Sequence, residues 1–310
     1  MAKKIWEEYP FYRPGRFYVN TAAKSCFRSV RFEGLENVPR EGAVLLTPNH
    51  CATLMDPLLV LAAMSPRLTG FGSRVDLFAK PRVAKILHWL RMVPFARERD
   101  GLKEVARNWE FFEEIIDCID HDVPFCLFPE GRHRPERGML PVKKGVFRLA
   151  RLAVERLPGK QVYVVPVGLD YEYFFRGYGR AVVRVGEPME TNTQFARTDV
   201  SEAQLNQELC EELQSRILSL IGRLPERSHK GLGWRIPLAV LSLPLFAVCA
   251  VGGLPIWLPH LLIMRGIKDK AWSHTVRFAL HFVLPLFWIF QWPFGVLLDF
   301  YTNIFEDLRR

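Results

Sequence analysis

Residues 43–57, AVLLTPNHCATLMDP, place a histidine and an aspartate around a turn that follows a short apolar run. The run has the length of a buried strand, the turn presents Asn49 and His50, and Pro57 suits the first turn of a helix that begins near Asp56. A loop of this length can hold the imidazole of His50 against the carboxylate of Asp56, which fixes the tautomer of the ring and strengthens it as a base. The stretch predicts an acid–base pair where a strand ends and a helix begins.

The rest of the chain alternates short apolar runs with helical patterns, which is typical of an α/β fold. The runs predict strands near residues 43–47, 67–72, 92–95, 123–128, 162–169 and 181–188. Helical patterns begin near Asp56 and cover residues 81–91, 102–119, 143–156 and 201–223. These elements place one α/β domain at residues 31–225 of the 310.

Charge and cysteine content narrow the class of protein. The net charge of +9 suits an anionic membrane face or an anionic substrate. The sequence has no basic stripe with interleaved aromatic residues, so nucleic acid is not expected as a partner. The six cysteines lack the spacing of a disulfide framework or a zinc site, so we expect reduced thiols and no metal.

The N-terminus lacks the apolar core of a secretory signal, so we expect the α/β domain to face the cytoplasm.

Two long stretches near the C-terminus, residues 236–264 and 278–298, contain no Asp, Glu, Lys or Arg. Each is long enough to cross or deeply enter a bilayer, so we expect a membrane hairpin at residues 232–301 and a short tail at 302–310. Tryptophans suited to the membrane interface are Trp234, Trp257, Trp272, Trp288 and Trp292. The alternative is a buried pair of apolar helices that folds onto the α/β domain.

Prolines and glycines argue against a single straight helix over residues 236–264, and we expect two pieces broken near 252–255. The loop at residues 265–277 is basic, which by the positive-inside tendency keeps it cytosolic. A plain two-helix hairpin would place that loop on the other side. The first stretch is therefore predicted to be re-entrant or to cross twice.

Residues 1–30 precede the α/β domain, and residues 16–31 carry cations beside several aromatic residues. This pattern fits a basic amphipathic helix that lies on the membrane surface. A helix packed on the chain's own domain fits it equally well.

Three further motifs follow the His50 turn in order: VPFAR at residues 93–97, LFPEGRHR at 127–134 and VVPVGL at 164–169. Together the four segments resemble the motif set of the glycerolipid acyltransferase family, whose members move a fatty acyl chain from a thioester onto glycerol 3-phosphate or lysophosphatidate. The resemblance covers about residues 31–188. It implies an α/β fold with a mixed central sheet flanked by helices, to which the C-terminal transmembrane or re-entrant helices are attached.

The chain departs from the family pattern in two places. Five residues separate His50 from Asp56 where the family usually has four, and Arg132 with His133 replaces the usual Thr-Arg after FPEG. The longer spacing and the stretch GLDYEYFFRGYGRAVVRVGEP at residues 168–188 are similar to yeast-type glycerol-3-phosphate acyltransferases and some bacterial relatives.

For acyl transfer, the residues and the resemblance agree on His50 as the catalytic base and Asp56 as its support. An imidazole with an ordinary pKa of about 6.5 can remove a hydroxyl proton near neutral pH. The chain has no G-x-S-x-G elbow, and Cys51 is poorly placed beside His50 to act as a nucleophile, so we expect direct attack without an acyl-enzyme. No cofactor is expected beyond acyl-CoA or acyl-ACP as co-substrate.

Substrate binding is predicted at residues of all four motifs. The resemblance places Arg97 and the cations after FPEG at the acceptor phosphate, and Lys143 and Lys144 offer further donors at a helix start. Glu130 can accept a bond from a glycerol hydroxyl or hold an arginine, and Pro166 suggests an edge strand or a strand end, consistent with a pocket rim. The predicted binding residues are Asn49, Arg97, Glu130, Gly131, Arg132, His133, Arg134, Lys143, Lys144 and Pro166.

These motifs predict a membrane-bound O-acyltransferase of phospholipid biosynthesis, with glycerol 3-phosphate or lysophosphatidate as acceptor and a phospholipid membrane as partner. The sequence leaves open the acceptor, the acyl length and the choice between acyl-CoA and acyl carrier protein. The alternative is a catalytically silent lipid-binding or membrane-scaffold protein on the same fold, which the altered spacings make conceivable. A hydrolase or a lipid-remodelling variant is a third option.

Overall fold

The computed structural model describes residues 4–96, 108–134, 136–174, 177–222, 224 and 232–308. The described strands are β1 (Ser29–Glu33), β2 (Ala43–Pro48), β3 (Gly70–Arg74), β4 (Met92–Phe95), β5 (Phe125–Cys126), β6 (Val162–Tyr171), β7 (Arg180–Val185) and β8 (Met189–Glu190). The described α-helices are α1 (Tyr12–Ser25), α2 (Met55–Ala63), α3 (Pro81–Trp89), α4 (Asn108–Asp120), α5 (Gly145–Arg156), α6 (Asn192–Phe195), α7 (Glu202–Leu220), α8 (Leu232–Gly252), α9 (Leu254–Gly266), α10 (Ser273–Val283) and α11 (Trp288–Leu308).

The eight described strands form one sheet in the order β1-β7-β6-β2-β5-β3-β4, with β8 paired to β6. Five pairings are parallel, and β6 pairs with β7 and β8 in antiparallel orientation. The mixed central sheet expected from the motifs is therefore confirmed. Because β6, β2 and β5 run parallel side by side, their carboxyl ends meet at one edge of the sheet, where open α/β sheets bind ligands.

Strand β2 is buried on both faces because helices cover both sides of the sheet. Ala43 and Leu45 contribute to a core shared with α4, α5 and α7, while Val44 and Leu46 contribute to a second core shared with α2. Neighbouring residues of a strand face opposite sides, so an unbroken apolar run is required here. This burial makes β2 a firm base for the polar turn at residues 49–54 that follows it.

Two of the C-terminal helices, α10 and α11, contact the N-terminal part of the chain. Helix α10 packs on α1 and α2, with the hydroxyl of Thr275 lying 2.6 Å from that of Thr53. Helix α11 contacts the segment between α1 and β1 through Asp299, whose carboxylate accepts a hydrogen bond from Arg28 at 2.6 Å. The same helix continues to Leu308, so residues 302–308 of the expected tail are helical.

One described helix, α8, is long and apolar enough to cross a membrane, and only 11% of its apolar window is buried inside the protein. The chain breaks at Gly253 between α8 and α9, which confirms the interruption expected near residues 252–255. The second apolar stretch is not one straight helix, because the chain bends by 102° between residues 270–283 and 285–308. A broken span and a re-entrant loop both have this geometry.

Helix α1 packs on the chain's own domain, which is one of the two interpretations of the N-terminal segment. The guanidinium of Arg16 donates to the carbonyls of Leu61 at 2.6 Å and Arg67 at 2.7 Å. Phe11 and Phe17 of the same segment are exposed at 84% and 74%. The segment is thus anchored to α2 and presents two aromatic side chains outward.

Candidate active site

Three chain segments meet at the carboxyl edge of the sheet. The loop after β2 carries His50, the loop after β5 carries Glu130, and the end of β6 carries Tyr171. The first two segments are joined through their backbones, since the N–H of Arg134 donates to the carbonyl of His50 at 3.0 Å. Motifs that lie far apart along the chain therefore form one site.

His50 and Asp56 form a hydrogen-bonded pair at the centre of this site. Nδ1 of His50 lies 2.7 Å from Oδ2 of Asp56. Because a carboxylate only accepts, Nδ1 carries the proton and Nε2 presents its lone pair. The side chain of His50 is 18% exposed, whereas that of Asp56 is fully buried. The pair can therefore meet a substrate hydroxyl through Nε2 while the carboxylate stays away from water.

Asp56 is held by further donors besides the imidazole. The N–H groups of Cys51 and Ala52 donate to Oδ2 at 2.8 and 2.7 Å, and the phenol hydroxyl of Tyr171 donates to Oδ1 at 2.7 Å. These bonds wrap the loop between His50 and Asp56 around the carboxylate. The extra residue relative to the family pattern therefore does not separate the catalytic pair.

The same loop contains a strained turn at Thr53, whose φ of 47° lies in the left-handed region that β-branched residues avoid. Its hydroxyl lies 2.6 Å from that of Thr275 and donates to the carbonyl of Ala271 at 3.3 Å. Both partners belong to the C-terminal region. The C-terminal helices therefore support the catalytic loop directly.

Glu130 braces the backbone of the site. Its Oε1 accepts from the N–H of His50 at 2.7 Å, and its Oε2 accepts from the N–H of Leu140 at 2.7 Å. The residue is 3% exposed, and burial raises its pKa to about 7 against the lowering effect of the two N–H donors. Where the sequence suggested a bond to substrate or to an arginine, the structure shows a carboxylate that joins two loops through their backbones.

Asn49 and Pro166 are buried parts of the framework. The amide of Asn49 donates to the carbonyl of Leu169 at 3.1 Å and accepts from its N–H at 2.6 Å, so it pins the His50 loop to β6. Pro166 lies inside β6, opposite Thr47 of β2, and the strand edge expected there is wrong. Its missing N–H is tolerated because the pairing of β6 changes from β8 to β7 around this position.

The predicted phosphate-binding cations are exposed near the FPEG segment or lie outside the described residues. Those that are exposed are Arg132, Arg134, Lys143 and Lys144. The N–H of Lys143 donates to the carbonyl of Pro129 at 2.8 Å, which places the lysine pair beside FPEG in space. Arg134 pairs with the carboxylate of Glu136. Arg97 lies outside the described residues.

His133 forms a second histidine–aspartate pair beside the first. Its Nε2 lies 2.8 Å from Oδ2 of Asp269, and its ring meets that of His50 edge-on with centroids 5.7 Å apart. Burial opposes ionisation of Asp269, yet the bonds from His133 and from the N–H of Ala271 hold its pKa below the usual value. Gly131, with a φ of 68°, supplies the left-handed turn that leads to His133. This pair is a second tie between the site and the C-terminal region.

Cys51 lacks the features of a nucleophile. It is 2% exposed, and burial together with Asp56 and Glu130 holds the pKa of its thiol well above the usual value. A thiolate is therefore disfavoured next to the catalytic pair. In the part of the chain that the structure describes, no three His, Cys, Asp or Glu side chains gather as a metal site requires.

Four supporting residues were not predicted from the sequence. One of them, Tyr171, carried a usable signal: it follows Val167 and Leu169 at a spacing of two, so it faces the same side of the sheet as these core residues. The other three residues carried no such signal in the sequence, because their contacts depend on how the C-terminal helices pack on the α/β domain. The four are Thr53, Tyr171, Asp269 and Thr275.

A sequence model of the acyltransferase family matches residues 29–170. Glycerol-3-phosphate O-acyltransferase 2 of Saccharomyces cerevisiae is 34% identical to this chain over 92 residues, which are 30% of this chain and 12% of that protein. The 1-acyl-sn-glycerol-3-phosphate acyltransferase alpha of Mus musculus is 28% identical over 176 residues, which are 52% of this chain and 55% of that protein.

A solved structure, that of the 1-acyl-sn-glycerophosphate (LPA) acyltransferase from Thermotoga maritima, is similar to this chain with a TM-score of 0.48 and 22% identity. The match covers 68% of this chain and 81% of that one. This chain spans 12% and 55% of the lengths of the yeast and mouse relatives.

Proposed function

Because a model of the acyltransferase family matches residues 29–170, we propose that the chain moves a fatty acyl group from a thioester to the hydroxyl of glycerol 3-phosphate or of lysophosphatidate. The observation that carries the proposal is the 2.7 Å bond between Nδ1 of His50 and Oδ2 of Asp56, which leaves Nε2 to face a substrate. The yeast and mouse relatives are named for glycerol 3-phosphate and 1-acylglycerol 3-phosphate, which supports this class of acceptor.

In the proposed mechanism, Nε2 of His50 accepts the proton of the acceptor hydroxyl while the oxygen attacks the carbonyl carbon of the thioester. Asp56 stabilises the imidazolium that forms. The carbon–sulfur bond then breaks, the imidazolium gives its proton to the departing thiolate, and an ester and a free thiol are released. No acyl-enzyme is needed, in keeping with the buried thiol of Cys51.

The acceptor phosphate is proposed to bind the exposed cations beside FPEG. Arg132 and the pair Lys143 and Lys144 can surround an anion, and α5 begins at Gly145 with backbone N–H groups that also suit phosphate. The resemblance adds Arg97 to this group. Acyl-CoA or acyl carrier protein is the proposed donor.

We further propose that the protein is membrane-bound, with the catalytic domain on the cytoplasmic side. Helix α8 offers an exposed apolar surface of the required length, and Phe11 and Phe17 present aromatic side chains from the N-terminal segment. A bilayer would supply lipid acceptors and receive the acylated product.

Thiol release from palmitoyl-coenzyme A by the detergent-solubilised protein tests the proposal. Glycerol 3-phosphate and lysophosphatidate are offered separately, and His50→Gln serves as the control. Release that depends on one acceptor and is lost in the variant supports acyl transfer and identifies that acceptor. Thiol release that needs no acceptor indicates a hydrolase. Phospholipid binding without thiol release, both from palmitoyl-coenzyme A and from palmitoyl-acyl carrier protein tested in the same way, indicates the lipid-binding alternative.

A further inference from the structure

The two oxygens of the Asp56 carboxylate have different surroundings. Oδ2 takes the bond from Nδ1 of His50 and those from the N–H groups of Cys51 and Ala52, at 2.7 to 2.8 Å. Oδ1 accepts from the phenol hydroxyl of Tyr171 at 2.7 Å and meets the thiol of Cys51 at 3.9 Å, a distance typical of a weak contact. A buried carboxylate oxygen is costly to leave without a donor, so Asp56 depends on this hydroxyl.

Tyr171 is itself held firmly in place. It ends β6 opposite Ala181 of β7, and it is fully buried. Its ring is stacked on that of His274, with centroids 5.3 Å apart, and lies 5.9 Å from that of Phe27. Nε2 of His274 lies 2.9 Å from the carbonyl of Tyr173, which fixes the stacked ring from α10. The phenol is therefore oriented toward Oδ1 before any substrate arrives.

We propose that Tyr171 is a positioning residue that sets the basicity of His50 through Asp56, an assignment whose catalytic meaning rests on the acyl transfer proposed above. The hydroxyl stabilises the negative charge on Oδ1. Without it the charge is less well compensated, the imidazolium of His50 is favoured more strongly, and the pKa of His50 rises. A base with a higher pKa is protonated over more of the pH range, so the reactive form becomes scarcer near neutral pH.

The state of the phenol suits this role. Burial, together with the nearby charge of Asp56, holds the pKa of Tyr171 well above its usual value, so the hydroxyl keeps its proton and remains a donor. Tyr171 and α10 both lie beyond residues 29–170 that match the family. The titratable and charged residues around the pair and the phenol include Cys51, Cys126, Glu130, His133, Arg137, Asp170, His274 and Arg277.

Histidine NMR on Tyr171→Phe tests the proposal. The protein carries carbon-labelled histidine in micelles, and the His50 signal is identified by its loss in His50→Gln. The pKa of His50 is expected to rise by roughly 0.5 to 1 unit, and the acid limb of the pH profile of kcat/KM should move up by the same amount. At pH values below the acid limb, kcat/KM of Tyr171→Phe should be about threefold to tenfold lower than that of the wild type.

Tyr178→Phe is the matched control. It removes another buried phenol hydroxyl, 3.2 Å from Nε2 of His281, that has no bond to Asp56. A general loss of packing or stability would affect both variants, whereas only Tyr171→Phe should move the pKa of His50.

Incorporation of 3-fluorotyrosine at position 171 provides an opposite change without loss of volume. A fluorinated phenol is a stronger donor, so the pKa of His50 should fall, and this experiment decides the matter if Tyr171→Phe does not fold. An unchanged pKa of His50 with fluorotyrosine, or equal shifts in Tyr171→Phe and Tyr178→Phe, overturns the assignment. Because the pKa is measured without substrate, the expected shifts in a protein that transfers no acyl group would uphold Tyr171 and reject the proposed reaction.

Discussion

The N–H of His50 donates to Oε1 of Glu130 at 2.7 Å, although the two residues are 80 positions apart in the chain. The other oxygen of Glu130 accepts from the N–H of Leu140 at the same distance. The FPEG segment thus fixes the backbone of the catalytic base. The carboxylate of Glu130 therefore fixes the position of His50 and links the FPEG motif to the His50 turn.

Glu130→Gln tests this bracing through the pH dependence of stability. The pKa of Glu130 is raised from 4.5 to about 7, so in this window the folded protein binds a proton that the unfolded chain has released. A carboxyl group raised in this way favours folding at low pH, and its contribution is lost as the pH rises. The unfolding free energy of the wild type relative to Glu130→Gln should fall by up to about 3 kcal/mol between pH 4.5 and 7 and then level off.

Denaturant unfolding at several pH values between 5 and 8 measures this difference. Glu136→Gln is the control, since Glu136 is an exposed glutamate of the same loop, paired with Arg134. The difference in unfolding free energy between Glu136→Gln and the wild type should stay constant across this pH range. Parallel curves for the wild type and Glu130→Gln would show that Glu130 carries no raised pKa.

Thr275→Val tests the support that the C-terminal helices give to the catalytic loop. The change keeps the side-chain shape and removes the hydroxyl 2.6 Å from that of Thr53. We expect a loss of about 1 kcal/mol in unfolding free energy. Because the loop also carries His50, kcat should fall several-fold, by about tenfold at most, with little change in either KM.

Thr302→Val is the matched control, because Thr302 bonds to the carbonyl of Leu298 in its own helix and is not at the site. Urea unfolding and steady-state kinetics are measured on both variants. A fall in kcat of the same size in Thr302→Val would mean that the loop receives no specific support from Thr275.

Lys143→Gln and Lys144→Gln test the proposed phosphate site. Each change removes one exposed positive charge beside FPEG, so KM for the phosphate acceptor should rise about twofold to fivefold while KM for the thioester stays the same. Added salt should reduce the effect by screening. Lys24→Gln, an exposed lysine of α1 that lies over the ring of Phe32, should leave both constants unchanged. An unchanged acceptor KM in both site variants would remove these lysines from the site.

Leu241→Lys tests membrane insertion of α8. Leu241 is 79% exposed near the middle of this helix. A lysine near the centre of a spanning helix costs about 2.5 to 3.5 kcal/mol, so less protein should remain in membranes after an alkaline wash. Leu218→Lys changes an apolar residue of α7 that is 42% exposed, and it should have no such effect. Equal retention of both variants would argue that α8 does not enter the bilayer.

The sequence predicted strands correctly where burial on both faces of the sheet determines the pattern of apolar residues. Strands β2 and β6 are buried along most of their length and read as unbroken apolar runs. Strand β1 was missed because it lies at the sheet edge, where β7 is its one neighbour among the described strands, and its residues are half-buried or exposed. A short polar edge strand has no apolar run by which it can be recognised.

The catalytic pair could be predicted because His50 and Asp56 lie in one loop, whose length sets their separation. The contacts that support this loop could not be predicted from the sequence. The bond between Thr53 and Thr275 spans 222 positions, and that between His133 and Asp269 spans 136. Such contacts follow from how α10 packs on the domain, and local patterns do not encode that packing.

The fate of a radiolabelled acyl group tests the central claim most directly. Purified wild type and His50→Gln are incubated with labelled palmitoyl-coenzyme A and each acceptor, and the products are separated. The wild type should place the label in an ester of the acceptor, and His50→Gln should do so about 10² to 10⁴ times more slowly. Its Tm should be little changed, because the His50 side chain reaches the surface. Equal rates of ester formation, or label found only as free fatty acid, would contradict the account.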